Sequence, residues 1–402
     1  MNEQRYDIEK IRAHFPALRA GAAHFDGPGG SQVPDVVADA VRDAMVSPMA
    51  NRGRVTAAER TADDITVGAR QAMADLLNGE PGGVVFGRSM TQLTYDLSRA
   101  LAKGWGPGDE VVVSRLDHDA NVRPWVQAAE AVGATVRWID FDPETTELTT
   151  THVAAVLSGR TRLVAVTGAS NLLGTRPPLA AIADLVHHAG ALFFVDGVHL
   201  TAHHPVDVVA CGADFFACSP YKFLGPHCGV LVARPDLLET IHPDKLLPAT
   251  DDVPERFELG TLPYELLAGC TATADFLSGL ASTAGTRRAR IVESMTAVAE
   301  HEDRLREKVE AGLAELPGVT LHSKAASRTP TLLITFDGKA VRDAHVFLAE
   351  LNINAPAGSF YAIEPARRLG LDEGGLRIGL APYTDDEDID RLLAGLARFT
   401  ER

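Results

Sequence analysis

The stretch DFFACSPYKFLGPHCGVLVARP, residues 214–235, sets one amine on a corner between two apolar runs. Phe215–Cys218 stops at Ser219-Pro220, then Tyr221 and Lys222 follow, and a second apolar run starts at Gly229. A loop lysine is ordinarily a solvated charge. Burial alters that, because an ammonium out of water is costly unless it is paired or neutral, and a neutral amine can form an imine with a carbonyl. Asp196 closes the earlier apolar run ALFFV. A carboxylate at a buried strand end also needs a positive partner. An acid and an amine at neighbouring strand ends are the pair that pyridoxal phosphate requires: the amine makes the imine, and the acid keeps the pyridine nitrogen protonated so that the ring accepts electrons.

A phosphate needs donors. GRSMTQ (87–92) lies where a strand turns into a helix, and the N–H groups of Met90 and Thr91 there would cradle an anion. The hydroxyls of Ser219 and Tyr221, beside the lysine, could add to them. His118 follows the run EVVVSRLD and could stack on the pyridine ring, while Asn171 and His199 could hydrogen-bond its phenolic oxygen. Arg377, in GGLRIGLAPY, would ordinarily be read as a surface ion pair; here it could clamp an amino-acid carboxylate with two parallel hydrogen bonds.

The elements that must carry these residues are short apolar runs alternating with helical stretches from about residue 65 to 235. GGVVFGR, DEVVVSRLDHDA, ATVRWIDFD, TRLVAVTGASN, GALFFVDGVH and ADFFACS read as strands. Such a pattern predicts an α/β fold, a mostly parallel sheet covered on both faces, which binds ligands at the carboxyl ends of its strands. After about residue 262 the pattern changes to one long helical stretch, roughly 265–316, followed by strands and a final helix, DDEDIDRLLAGLARFTER, which predicts a smaller α+β lobe.

Composition narrows the function classes. A net charge of −16 argues against nucleic-acid or anionic-membrane partners. No apolar stretch is long enough to span a membrane, and the first residues lack an apolar signal core, so a cytoplasmic location is expected. The four cysteines, Cys211, Cys218, Cys228 and Cys270, form no CxxC pair, and no metal site is expected.

Taken together, LDHDANVRPW, SNLLGT, VDGVH, SPYKFLGPHCGVL and ELGTLP, in that order, resemble the class V aminotransferases of PLP fold type I, in particular the cysteine desulfurase and selenocysteine lyase group. The resemblance runs from FDGPGGSQVP to DIDRLLAGL. It implies a large domain (31–262) with a mostly parallel seven-stranded sheet, a small C-terminal domain (263–402), and an N-terminal segment (1–30) packing with the small domain. It implies pyridoxal 5′-phosphate as cofactor, Lys222 as the imine-forming lysine and Asp196 as the pyridinium partner. By the same likeness His118 stacks on the ring, Asn171 and His199 fall at ring-oxygen positions, and Thr91, Ser219 and Tyr221 fall at phosphate positions. Thr261 falls where a neighbouring subunit completes the phosphate site, which implies a homodimer with shared active sites.

The departures bear on the reaction. Desulfurases carry a cysteine on a small-lobe loop; here that loop reads AGSFYA (357–362), and Tyr361 stands in the thiol's place beside Phe360. Arg54, in NRGR, stands near an expected substrate-side histidine. The reading that follows is a β-elimination C–S lyase acting on a cysteine S-conjugate or a related amino acid, with Arg377, Arg54, Phe360 and Tyr361 around the substrate. The alternatives are an aminotransferase, an epimerase or a decarboxylase, a desulfurase using Cys218 or Cys228, and a PLP-fold binding protein without catalysis.

Overall fold

The structure is a computed structural model and describes residues 6–402. Residues 1–5 of the expected N-terminal segment lie outside the described residues. The segment that follows carries β1 (Ala23–His24).

Seven strands build the central sheet: β2 (Val84–Gly87), β3 (Glu110–Ser114), β4 (Thr135–Ile139), β5 (Thr161–Thr167), β6 (Leu192–Asp196), β7 (Phe215–Cys218) and β8 (Gly229–Ala233). Their spatial order is β2-β8-β7-β6-β5-β3-β4. Only β8 runs against its neighbours, and every other pairing in the sheet is parallel. The α/β expectation of a mostly parallel seven-stranded sheet is therefore met. Successive side chains leave a strand on opposite faces, so each apolar run feeds two cores. Phe194, Phe215 and Ala217 pack with Trp125 on one face, while Phe193, Val195, Phe216 and Cys218 pack on the other.

This topology gathers the chemistry. In the register of β6 and β7, Asp196 lies opposite Ala217, so Asp196 and the turn that begins at Ser219 leave adjacent strand ends on the same edge. The turn into the helix Met90–Ala102 after β2, His118 beyond β3 and Asn171 beyond β5 reach that edge too.

The smaller lobe contains β9 (Val319–Leu321), β10 (Thr331–Phe336), β11 (Ile353–Asn354), β12 (Ala357–Gly358) and β13 (Gly375–Gly379). Four of these form an antiparallel sheet in the order β12-β13-β10-β9, and β11 pairs in parallel with β1. Leu332, Ile334, Leu376, Ile378 and Leu396 form its core with helices Val341–Glu350 and Asp386–Thr400.

The long helical stretch expected over 265–316 is in fact two helices, Tyr264–Ser278 and Arg287–Ala314. The sequence GLASTAG between them ends the first helix at Gly279, places Gly285 at φ +97°, and hands over to Thr286, whose hydroxyl caps the second by accepting from the Ala289 N–H. Small residues, glycine and a threonine cap outweigh the helical pattern on either side. The first helix packs on Asp35–Val46 and Ala57–Leu77.

Candidate active site

A cavity of ≈ 340 Å³ opens at the carboxyl edge of the large sheet, with β13 and the 359–361 turn of the small lobe closing one side. Met90, Thr91, His118, Asn171, Asp196, His199, Ser219, Tyr221, Lys222, Phe360, Tyr361 and Arg377 all line it. Thr261 and Arg54 do not; both are exposed on their own chain.

Lys222 ends the short 3-10 turn Pro220–Lys222 after β7. Its Nζ donates to the backbone carbonyls of Pro28 and Gly29, the latter at 2.9 Å. Burial, then the guanidinium of Arg377, bring its pKa down to about 8, although Asp26 and Asp196 pull the other way. The amine is thus a much better nucleophile and base near neutrality than an exposed lysine.

Asp196 is buried at the end of β6 and accepts from the Val198 N–H at 2.9 Å. Burial pushes its carboxyl up to about 6 despite that bond and the Lys222 charge. A carboxylate so short of positive partners is suited to holding a protonated ring nitrogen.

At the opposite end, Ser89 caps the helix Met90–Ala102 by accepting from the Gln92 N–H at 3.2 Å, and the Met90 N–H reaches Ser219 Oγ at 3.2 Å. The first N–H groups of the helix therefore converge beside a hydroxyl, as an anion requires. Gly229 is constrained here: a Cβ on it would fall 2.3 Å from the Ser89 carbonyl carbon. Tyr221 stacks against His227 at 4.6 Å and 9°.

His118 is kept neutral, with a pKa lowered to about 4 by burial first and then by the charges of Lys222 and Arg377. Its Nδ1 accepts from the Ala120 N–H at 3.0 Å, which sets the ring as a flat wall. Asn171 gives its amide to the Phe360 carbonyl at 3.0 Å, and its buried Oδ1 has no partner. An orphaned acceptor on a cavity wall is a place for a ligand's donor.

Arg377 leaves β13 almost fully buried. Its Nη2 meets Asp26 Oδ1 at 2.6 Å, its Nη1 donates to the Asn171 carbonyl at 3.2 Å, and its Nε is buried without a partner. The Phe360 ring lies 3.7 Å from its Cζ. Phe360 and Tyr361 both adopt left-handed backbone, φ 52° and 58°, which costs energy in residues bearing a Cβ. The turn is held by its hydrogen bonds: the Tyr361 carbonyl accepts from the Asp119 N–H at 2.8 Å, and the Phe360 carbonyl accepts from Asn171. The helix that follows, Ile363–Arg368, is tied to the large domain by Arg115–Glu364 at 2.6 Å and Arg368–Asp140 at 2.8 Å.

Two acidic residues were missed in the sequence. Asp26 lies in FDGPGG, where an acid before a glycine-rich turn was the available signal. Asp117 precedes His118 and is buried; its carboxyl is pushed up to about 8 by burial, against hydrogen bonds from Ser114 and Asn121. The cysteines lie elsewhere. Cys218, Cys228 and Cys270 are buried in the core, Cys211 borders a separate cleft around Arg176, and none lines the cavity. Among the described residues no group of three His, Cys, Asp or Glu side chains is placed to hold a metal, and no helix is long and apolar enough to cross a membrane.

This donor set fits pyridoxal 5′-phosphate: an amine, a buried acid, a flat imidazole, an unpaired acceptor and a helix N-terminus arranged around one cavity.

Residues 23–392 match the model of the family described as aminotransferase class-V. An uncharacterized protein of Mycobacterium tuberculosis is 33% identical, over 98% of this chain and 99% of its own length. A cysteine desulfurase of Klebsiella pneumoniae is 33% identical, over 98% of both chains. Among solved structures, the cysteine desulfurase CsdA of Escherichia coli in its S-sulfonic acid form superposes with a TM-score of 0.87 at 27% identity, over 98% of this chain and 99% of that one.

Proposed function

Since the chain belongs to the aminotransferase class-V family and its cofactor is pyridoxal 5′-phosphate, we propose that it is a β-elimination C–S lyase acting on a cysteine S-conjugate or a related α-amino acid. The observation that carries the proposal is that the substrate side of the cavity is walled by Phe360 and Tyr361, with no thiol in reach. A desulfurase must accept sulfur on a cysteine. An elimination needs only a base, an electron sink and a leaving group on the β-carbon.

Lys222 would hold the cofactor covalently, Asp196 would bind its ring nitrogen, His118 would cover its face, and Met90, Thr91, Ser219 and Tyr221 would surround its phosphate. The chemistry supplied by the bound cofactor is withdrawal of electrons from the substrate's α-carbon. Arg377 binds the substrate carboxylate through its unpaired Nε and an Nη. Lys222 Nζ would take the α-proton. The β-carbon–sulfur bond then breaks, its electron pair leaves with sulfur, and the proton carried by Lys222 is available to the thiolate. Addition of water releases pyruvate and ammonia beside the thiol. Phe360 stacks on Arg377 and limits water at the clamp.

A second reading is cysteine desulfurase, the name that several relatives carry. Against it stand the burial of Cys218 and Cys228 in the core and the rise of the Cys218 thiol pKa, caused first by burial, both of which oppose thiolate attack.

We also read the enzyme as a homodimer. Met45, Val46, Val55, Leu246 and Leu247 are exposed apolar residues, Leu247 at 97%, and Leu259 joins them close in sequence to Thr261. A second copy covering these residues would give Thr261 and Arg54 a cavity to serve.

The test of the activity is incubation with S-alkyl and S-aryl cysteines, measuring thiol and pyruvate. Equal amounts of both support the elimination; alanine with sulfur retained on the protein would overturn it.

A further inference from the structure

His199 sits on the cavity wall, buried, with its Nε2 2.9 Å from Thr331 Oγ1 and 3.0 Å from Thr329 Oγ1. Both threonines belong to the small lobe and are fully buried. A buried hydroxyl uses its single proton on an acceptor. The Thr329 hydroxyl has a second acceptor in the Gly174 carbonyl at 3.3 Å, but among the described residues the only partner of the Thr331 hydroxyl is His199 Nε2. Thr331 must therefore donate to Nε2, so Nε2 carries the lone pair. The imidazole is neutral, held well below its usual range first by burial. A neutral ring with a bare Nε2 carries its proton on Nδ1, which has no protein partner and is not sealed from the cavity.

The ring cannot turn over without loss. A flip about its Cβ–Cγ bond would set a carbon against both hydroxyls. His203 also stands edge-on to it, with centroids 4.7 Å apart, and is itself held by the buried Glu302 at 2.8 Å.

We infer that Thr331, supported by Thr329, is a positioning residue that fixes His199 as the Nδ1–H tautomer, a hydrogen-bond donor aimed at the cofactor's ring oxygen. This rests on the cavity holding pyridoxal phosphate. Nδ1–H then favours the ionised form of that oxygen. The contact also crosses between the lobes, so the setting of the small lobe reaches the cofactor's ring through one hydroxyl.

The experiment is two-bond nitrogen–proton NMR on protein labelled with ¹⁵N-histidine, with and without bound cofactor, His199 being assigned by loss of its signals in His199→Gln. The expected result is a protonated Nδ1 and a bare Nε2 in both states. Thr331→Val should give a mixture or the opposite tautomer, raise the pH at which the bound cofactor's ring oxygen ionises, and weaken cofactor affinity by about 3- to 10-fold, as for one lost hydrogen bond. Thr331→Ser, which keeps the hydroxyl, should restore all three. A protonated Nε2 in the native protein overturns the inference, as does a tautomer unchanged in Thr331→Val. Failure of the protein to bind the cofactor at all would instead sink the proposed function, which the cofactor's absorption reports separately.

Discussion

Asp26 and Arg377, 351 residues apart, form an ion pair at 2.6 Å inside the cavity, so the guanidinium proposed to bind substrate already faces one carboxylate. An incoming carboxylate meets Arg377 with Asp26 as a negative neighbour. Asp26→Asn keeps an oxygen for Nη2 and removes the repulsion. KM for amino acids is therefore expected to fall by about 2- to 5-fold, the scale of one partly exposed charge. Steady-state kinetics on the same substrate checks this; a rise in KM would mean that Asp26 serves chiefly to aim the guanidinium.

Asp196 trades stability for function. Its folded pKa, about 6, lies above the ordinary value, so its contribution to stability is fully present below the unfolded pKa and is lost as pH rises through 6. At pH 8 the cofactor-free protein carries the cost of a buried carboxylate. Asp196→Asn is expected to stabilise that form by about 1–3 kcal/mol at pH 8, with little gain near pH 4, while cutting turnover of the loaded enzyme by orders of magnitude. Thermal unfolding at the two pH values, with matched kinetics, measures both halves.

That pairing of Asp196 with Lys222 was legible because each follows a short apolar run, and buried strand ends that carry charge are uncommon. Much of the cofactor cradle was readable for the same reason, since a parallel sheet delivers every strand end to one edge. The Asp26–Arg377 pair was not, because no local pattern reports a contact between the turn after β1 and β13. The left-handed pair Phe360 and Tyr361 was hidden as well: neither position holds the glycine that such backbone favours, and the turn persists through bonds to Asp119 and Asn171. The break between helices Tyr264–Ser278 and Arg287–Ala314 was visible in Gly279, Gly285 and Thr286, but the apolar periodicity on both sides outweighed it.

Lys222 should react as a depressed amine. Cofactor uptake by the cofactor-free protein requires its neutral form, so the uptake rate is expected to rise with pH through a midpoint of about 8. Arg377→Gln removes a positive neighbour that holds the value down, and the midpoint should move up. Stopped-flow absorbance across a pH series reads both; a midpoint unmoved by that substitution would show that burial alone sets the lysine.

Phe360→Ala exposes the face of Arg377 that the ring now covers at 3.7 Å. The expected outcome is a KM raised by about 5- to 30-fold, on the scale of 1–2 kcal/mol for a desolvated cation–π contact. The absorption band of the lysine-linked cofactor should be unchanged, because Phe360 belongs to the substrate side of the cavity. Loss of that band would instead place the ring in cofactor binding.

The reaction itself turns on sulfur. Cys218, Cys228 and Cys270 are buried, with Cys228 Sγ directed to the carbonyls of Gly87 and Gly229, and Cys211 borders a different cleft. None of these thiols can reach a substrate held between Lys222 and Arg377 without opening the core. Replacing all four with Ala should lower stability through the small cavities left behind, yet turnover per folded, cofactor-loaded molecule should hold, and mass spectrometry after L-cysteine should find no persulfide in the native protein. The converse substitution is more demanding. Tyr361→Cys puts a thiol at the exposed position of the 359–361 turn, 5.6 Å by ring centroids from His118 in the native side chain. If the missing thiol is what separates this chain from the desulfurases, that variant should acquire a persulfide at residue 361 when given L-cysteine, and part of its product should change from pyruvate to alanine. A persulfide on any of the four native cysteines during turnover would restore the desulfurase reading, because sulfur would then have a route that the buried thiols, as placed, do not offer.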